Sequence, residues 1–246
     1  MERTGRTIYD LETPAVLIDV KRVQQNIELY QSIANKGRVE LWPHGKTSKL
    51  PFIWDMQLKA GATGLTVATV REAEVAMAHG HTNIFIAYPH VDPKSLKRIQ
   101  VLAQIGQVTL MVSNRDGASI VYNFFHANPP CPKILLAIDT GLHREGMPAR
   151  NLKTIKFIEE LQNGFKDDFR GITTHEGYSY KTRRHQTVRS IALAVRKKMS
   201  DIQKRCKEKG HPVDTIAIGA TPTFAFFEND QKHKITEAHP GNYVFF

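Results

Sequence analysis

Eight short runs of β-branched and aliphatic residues recur along this chain, and all but the last lead into a longer stretch of helical period. The runs are "RVELWP" (38–43), "GLTVAT" (64–69), "NIFIAYP" (83–89), "QVTLMVSN" (107–114), "KILLAID" (133–139), "RGITTH" (170–175), "DTIAIGA" (214–220) and "KITEA" (234–238). Segments such as "VREAEVAMAHG" and "ARNLKTIKFIEELQNG" separate them. Apolar runs joined by helices predict a parallel sheet covered by helices. Eight such units in about 220 residues fit a closed (β/α)8 barrel of TIM type. An open doubly wound sheet is the alternative, but no GxGxxG follows the first strand. One more apolar run, "PAVLIDV" (14–20), precedes the first helix and reads as an additional strand.

Composition narrows the function classes. The 246 residues are 41% hydrophobic and 24% charged, ordinary values for a soluble domain with one large core. No apolar run approaches the roughly 18 residues of a membrane span. The opening "MERTGRTIYDLETP" lacks the apolar centre of a signal peptide. Cys131 and Cys206 have no paired spacing, which argues against a disulfide framework and fits a reducing, cytoplasmic setting. The formal charge of +10 raises nucleic-acid binding. However, the densest basic stretch, "RKKMSDIQKRCKEKG" (196–210), is apolar only at Met199, Ile202 and Cys206 and reads as a solvated helix face. The charge points instead to an anionic small ligand, a phosphate ester or an amino-acid carboxylate.

Barrel active sites form where strands end. Polar clusters follow five of the runs: "PHGK", "DTGLHREG", "HEGYSY", "GATPT" and "HPGN". Lys46, in the first cluster, has apolar and cationic neighbours that disfavour its ammonium form and make it a nucleophile toward a carbonyl. "GATPT" (219–223) and "PGN" (240–242) offer backbone N–H groups and a hydroxyl after the last two strands, the recurrent phosphate position of such barrels. Arg144 stands on the same rim, able to neutralise a phenolate or to pair with Glu145. An amine facing a phosphate site suggests a phosphorylated aldehyde, and pyridoxal phosphate fits that description.

"WPHGKTSK" (42–49), with "TPAVLID" before it and "GATGLTVATVREAEVAMAHG" after it, resembles the D-threonine aldolase and D-serine dehydratase family. These are fold-type III pyridoxal-phosphate enzymes related to alanine racemase, and the resemblance runs from Leu11 to Phe246. It implies that Lys46 is the Schiff-base lysine, within a motif that also brings His44 to the cofactor. Trp42 and Ser48 depart from the Arg and His of the family pattern. Arg144 matches the residue facing the cofactor phenolate. Gly219, Ala220 and Thr221 match the phosphate turn, completed by the backbone of Gly241, Asn242 and Tyr243. His175, Tyr178 and Tyr180 match the substrate side, with Tyr178 in place of a His. His239 stands where many relatives carry an Arg beside the pyridine nitrogen.

The resemblance also implies an activity and an organisation. The expected reaction is retro-aldol cleavage or dehydration of a small D-3-hydroxy amino acid, with no nucleic-acid or membrane partner. A pyridoxal-phosphate homeostasis protein of little turnover, or a racemase, is the alternative. Residues 1–22 carry the strand that in the family joins a β domain, 23–242 form the cofactor barrel, and 243–246 begin a β domain absent from this chain. That domain holds the divalent zinc or manganese that polarises the substrate hydroxyl, so no metal ligand is assigned here. His79, His81, His211 and His233 read as solvated. Family members form homodimers.

Overall fold

The computed structural model describes residues 7–227, 233 and 235–245. Its strands are β1 (Glu40–Leu41), β2 (Leu65–Val67), β3 (Asn83–Ile86), β4 (Gln107–Val112), β5 (Lys133–Asp139), β6 (Met147–Pro148), β7 (Phe169–Thr174), β8 (Thr215–Ile218) and β9 (Glu237–Ala238). Eight of them follow one another in the order β1-β9-β8-β7-β5-β4-β3-β2, all parallel, while β6 pairs only with the end of β5. The two ends of this path meet. Thr63 N donates to Leu41 O at 2.8 Å and Thr66 N to Pro43 O at 2.9 Å, and His44 bridges to Thr66. The sheet therefore closes into the expected barrel. β1 is shorter than its sequence run because Pro43 has no N–H to offer the ladder.

Helices cover the barrel: α1 (Val20–Gly37), α2 (Pro51–Lys59), α3 (Val70–Ala78), α4 (Pro93–Ile105), α5 (Arg115–Ala127), α6 (Leu152–Phe165), α7 (His185–Glu208) and the short α8 (Thr221–Phe224). Asp19, Thr69, Asp92, Asn114 and Asn151 cap five of them by accepting first-turn N–H groups. Each such cap contributes about 1 kcal/mol.

Strand parity sorts the core into two layers, because successive side chains point to opposite faces of a strand. In β5, Ile134, Leu136 and Ile138 join the large cluster between sheet and helices. Leu135 and Ala137 join Trp42, Phe85, Met111 and Ala217 inside the barrel. The register between β5 and β7 shifts at Ile134/Leu135, so Arg170 is skipped in the pairing. Gly171 follows with φ of 153°, and a Cβ there would lie 2.1 Å from Thr215 O. Arg170 lies over the Trp42 ring at 4.8 Å and pairs with Glu237.

One sequence expectation is corrected, that for Arg196, and two other stretches take their places in the packing. "PAVLIDV" pairs with no strand among the described residues: Val16 is 93% exposed, Asp19 caps α1 and Val20 opens it. Tyr243 and Val244 pack with Val23, Ile27 and Ile53 against α1 and α2, so these two side chains belong to the barrel's own packing. Arg196 is fully buried, because it falls on the same stripe of α7 as Met199, Ile202 and Cys206. Among the described residues, no helix is long and apolar enough to cross a membrane.

Candidate active site

The inward parity that fills the barrel also builds a cleft at the strands' C-terminal ends. His44, Thr66, Phe85, Met111, Asp139, Thr173, His175, Gly219 and His239 all sit at inward positions at or just beyond a strand, and all line it. Lys46, Tyr88, Leu142, Arg144 and Glu145 enter from the loops. The cleft opens to solvent.

Lys46 sits in a single 3-10 turn, Gly45–Thr47, directly after β1. Three contacts hold that turn. His44 N donates to Pro240 O at 2.9 Å, Trp54 Nε1 donates to Gly45 O at 3.3 Å, and Thr47 Oγ1 donates to Asn242 Oδ1 at 3.0 Å. Gly45 must be small, since a Cβ would lie 2.8 Å from the Trp54 indole nitrogen. Lys46 remains exposed as a residue, yet the cleft walls strip water from its amine and lower its pKa. The Arg144 charge lowers it further, while Glu72 and Glu145 act in the opposite sense.

Three histidines share the cleft. Burial, helped by the charge on Lys46, holds His44 well below the ordinary imidazole range. His175 is pushed down to about 4, again chiefly by burial, and its Nδ1 lies against Gly219 O. His239 is lowered by burial despite its Glu237 partner, whose Oε2 is 3.4 Å from His239 Nε2. Trp42 and Phe85 flank the His239 ring, with centroids at 6.5 and 5.0 Å. The Trp that departs from the family pattern thus fills the barrel floor below His239.

The remaining sequence-predicted residues divide. Arg144 lines the cleft but is engaged by Glu145, the pairing weighed as its alternative partner. Gly219 lines the cleft; Ala220 and Thr221 are buried behind it, and among the described residues the Thr221 hydroxyl has no hydrogen-bond partner. Gly241 packs against the Lys46 turn, where a Cβ would meet Thr47 Oγ1 at 2.9 Å. Asn242 holds Thr47, and the Tyr243 side chain points away, accepting from Gln57 at 2.9 Å and stacking on Tyr30 at 4.4 Å. Tyr178 and Tyr180 do not line the cleft. Tyr178 lies 3.5 Å from Thr140 O, and Tyr180 accepts from Thr221 N at 3.2 Å.

Sequence reading missed Glu176, Glu237 and Arg170 as parts of the site. Glu237 was recoverable in part from strand parity; Arg170 was not, because a bulge turns it inward, nor was Glu176, because its partners lie far along the chain. His81, read as solvated, is buried with Nε2 3.0 Å from Asp55, and His211 pairs with Glu159. Among the described residues, no three His, Cys, Asp or Glu side chains converge as a metal site requires.

The chain is similar to several known proteins. D-threo-3-hydroxyaspartate dehydratase of Delftia sp. is 30% identical over 243 residues, covering 98% of this chain and 63% of that protein. D-serine dehydratase of Dictyostelium discoideum is 28% identical over 261 residues, covering 100% and 66%. The chain therefore spans about two thirds of the length of these relatives. The crystal structure of D-threonine aldolase from Filomicrobium marinum superposes with a TM-score of 0.89 over 97% of this chain and 64% of that one, at 24% identity, and shows the shared fold. Residues 18–246 match the alanine racemase N-terminal domain, and the chain belongs to that family.

Proposed function

We propose that this barrel holds pyridoxal phosphate through Lys46 and serves as a lyase of D-3-hydroxy amino acids, removing the β-hydroxyl as water. The observation that carries the reading is the pairing of two features in one cleft. One is an amine with a lowered pKa; the other is the Gly219–Thr221 turn, which reaches the cleft through Gly219 and whose buried Thr221 hydroxyl, behind it, has no hydrogen-bond partner among the described residues. An unsatisfied buried hydroxyl costs about 1–3 kcal/mol, and a phosphate oxygen would offset that cost. The two dehydratases among the relatives support the substrate class and the elimination.

In this reading Lys46 Nζ would hold the cofactor's aldehyde carbon, the Gly219–Thr221 and Gly241–Asn242 backbone would hold the phosphate, and Arg144 and His239 would neutralise the phenolate and face the ring. When bound, the cofactor would supply an electron sink for charge developing at the substrate Cα. Lys46 Nζ, partly desolvated, would serve as base at the substrate Cα once the substrate amine has displaced it from the aldehyde carbon. His175 stays neutral at pH 7, and its Nε2 can take or return a proton on the substrate side, because Nδ1–H is committed to Gly219 O. Arg144 exchanges Glu145 for the incoming anion.

The test is a substrate panel with added divalent metal. D-Serine and D-threo-3-hydroxyaspartate are expected to release oxo acid and ammonia, and Lys46→Ala is expected to abolish release. Glycine from D-threonine, without oxo acid from the others, would replace elimination by retro-aldol cleavage. Tight cofactor binding with no turnover of any of them would favour the homeostasis reading.

A further inference from the structure

The loop after β7 contributes His175 to the cleft, but its next residue is the less ordinary one. Glu176 is 1% exposed, an acidic side chain inside the protein. Its two oxygens are both engaged: Gly219 N donates to Oε2 at 3.3 Å, and the Thr223 hydroxyl lies against Oε1. His175 Nδ1 meanwhile bonds to Gly219 O. Two consecutive residues therefore grip both polar groups of Gly219. Tyr180, from the same loop, accepts from Thr221 N at 3.2 Å. The turn that lines the cleft opposite Lys46 has its peptide orientation set by contacts from one neighbouring segment.

Proton counting explains how a carboxyl tolerates this position. The Thr223 hydroxyl has one proton but two acceptors within reach, Glu176 Oε1 and, at 3.0 Å, Ala220 O. Both contacts are satisfied when Glu176 carries a proton, donates it to Thr223 Oγ1, and Thr223 donates onward to Ala220 O. Burial raises the Glu176 pKa, in agreement with that arrangement. A neutral carboxyl beside the turn also adds no repulsion toward a phosphate.

We propose that Glu176 is a positioning residue that presets the Gly219–Thr223 turn for the phosphate of the ligand. The proposal rests on the pyridoxal-phosphate reading above. It predicts an effect confined to the phosphate. Pyridoxal lacks that group and reaches Lys46 without using the turn, so it serves as the internal control.

The experiment measures capture of pyridoxal phosphate and of pyridoxal by the whole chain, from cofactor absorbance, for the unsubstituted protein, Glu176→Ala and Glu176→Gln. Losing a buried hydrogen bond that supports an anion site is expected to weaken pyridoxal phosphate about tenfold in Glu176→Ala, while pyridoxal stays within about twofold. Glu176→Gln is expected to restore phosphate affinity, since its amide oxygen accepts from Gly219 and its amide nitrogen donates to Thr223. An unchanged ratio of the two affinities in Glu176→Ala overturns the proposal, whether both are retained or both are lost. A Gln variant as weak as the Ala variant overturns the hydrogen-bond account. No phosphate preference in the unsubstituted protein overturns the cofactor reading itself, and this proposal with it. Should Glu176→Ala fail to fold, Thr223→Val removes the carboxyl's other anchor and is read by the same ratio.

Discussion

His175 shows how a single side chain ties the cleft to the stability of the chain. Burial holds its pKa at about 4 against the opposing pull of the Nδ1 contact with Gly219 O, so the folded protein keeps this ring neutral at pH 7. In the unfolded chain the same ring takes its proton near pH 6.5. Between these values the unfolded state binds more protons, so stability rises with pH across the window and is lost as pH falls through it. His44 and His239 are shifted in the same direction, also by burial. Urea unfolding at pH 7 and pH 4.5 is therefore expected to show a large acid loss in the unsubstituted protein. A His175→Gln variant should lose less over the same interval, by on the order of 2 kcal/mol. Parallel losses in the two proteins would contradict the assignment of a buried neutral ring.

At the scale of elements, the β5–β7 pairing decides where the rim residues stand. The register shift at Ile134/Leu135 leaves Arg170 unpaired in the ladder, while Gly171 re-enters it with φ of 153°. Any Cβ at Gly171 would collide with the Thr215 carbonyl of β8, which is backbone and cannot swing aside. Gly171→Ala is expected to destabilise the protein by about 2 kcal/mol or more, or to prevent folding, as read by thermal unfolding. A melting temperature within a degree or two of the parent would show that the strand can shift. This bulge was not legible in the sequence, whereas the alternation of runs and helices was, since it depends only on local period. Parity within each run would also have picked His44, His175, Gly219 and His239 as inward. Asp19, at the end of the Pro14–Val20 run, is the local signal of the helix that follows. Arg196 misled because charge outweighed its place on the apolar stripe of α7. Glu176 was out of reach, since its bond to Gly219 spans 43 residues and exists only once the barrel closes.

The whole molecule turns a weak motif into a defined site. Closure between β1 and β2, through the bonds from Thr63 and Thr66, brings "PHGK" beside "HPGN" and across from "HEGYSY", although these segments lie far apart in the chain. Lys46, Arg144, His175, Gly219 and His239 then face one cleft, while Tyr178, Tyr180 and Tyr243 support it from behind. The central claim is that one lysine of this barrel, Lys46, captures the cofactor. The direct measurement is borohydride reduction of the chain after incubation with pyridoxal phosphate, followed by peptide mapping. A single pyridoxyl adduct on Lys46, absent from Lys46→Ala, is the predicted result. An adduct on Lys49 or Lys198 in place of Lys46, or a Lys46→Ala variant that takes the label as well as its parent, would contradict it.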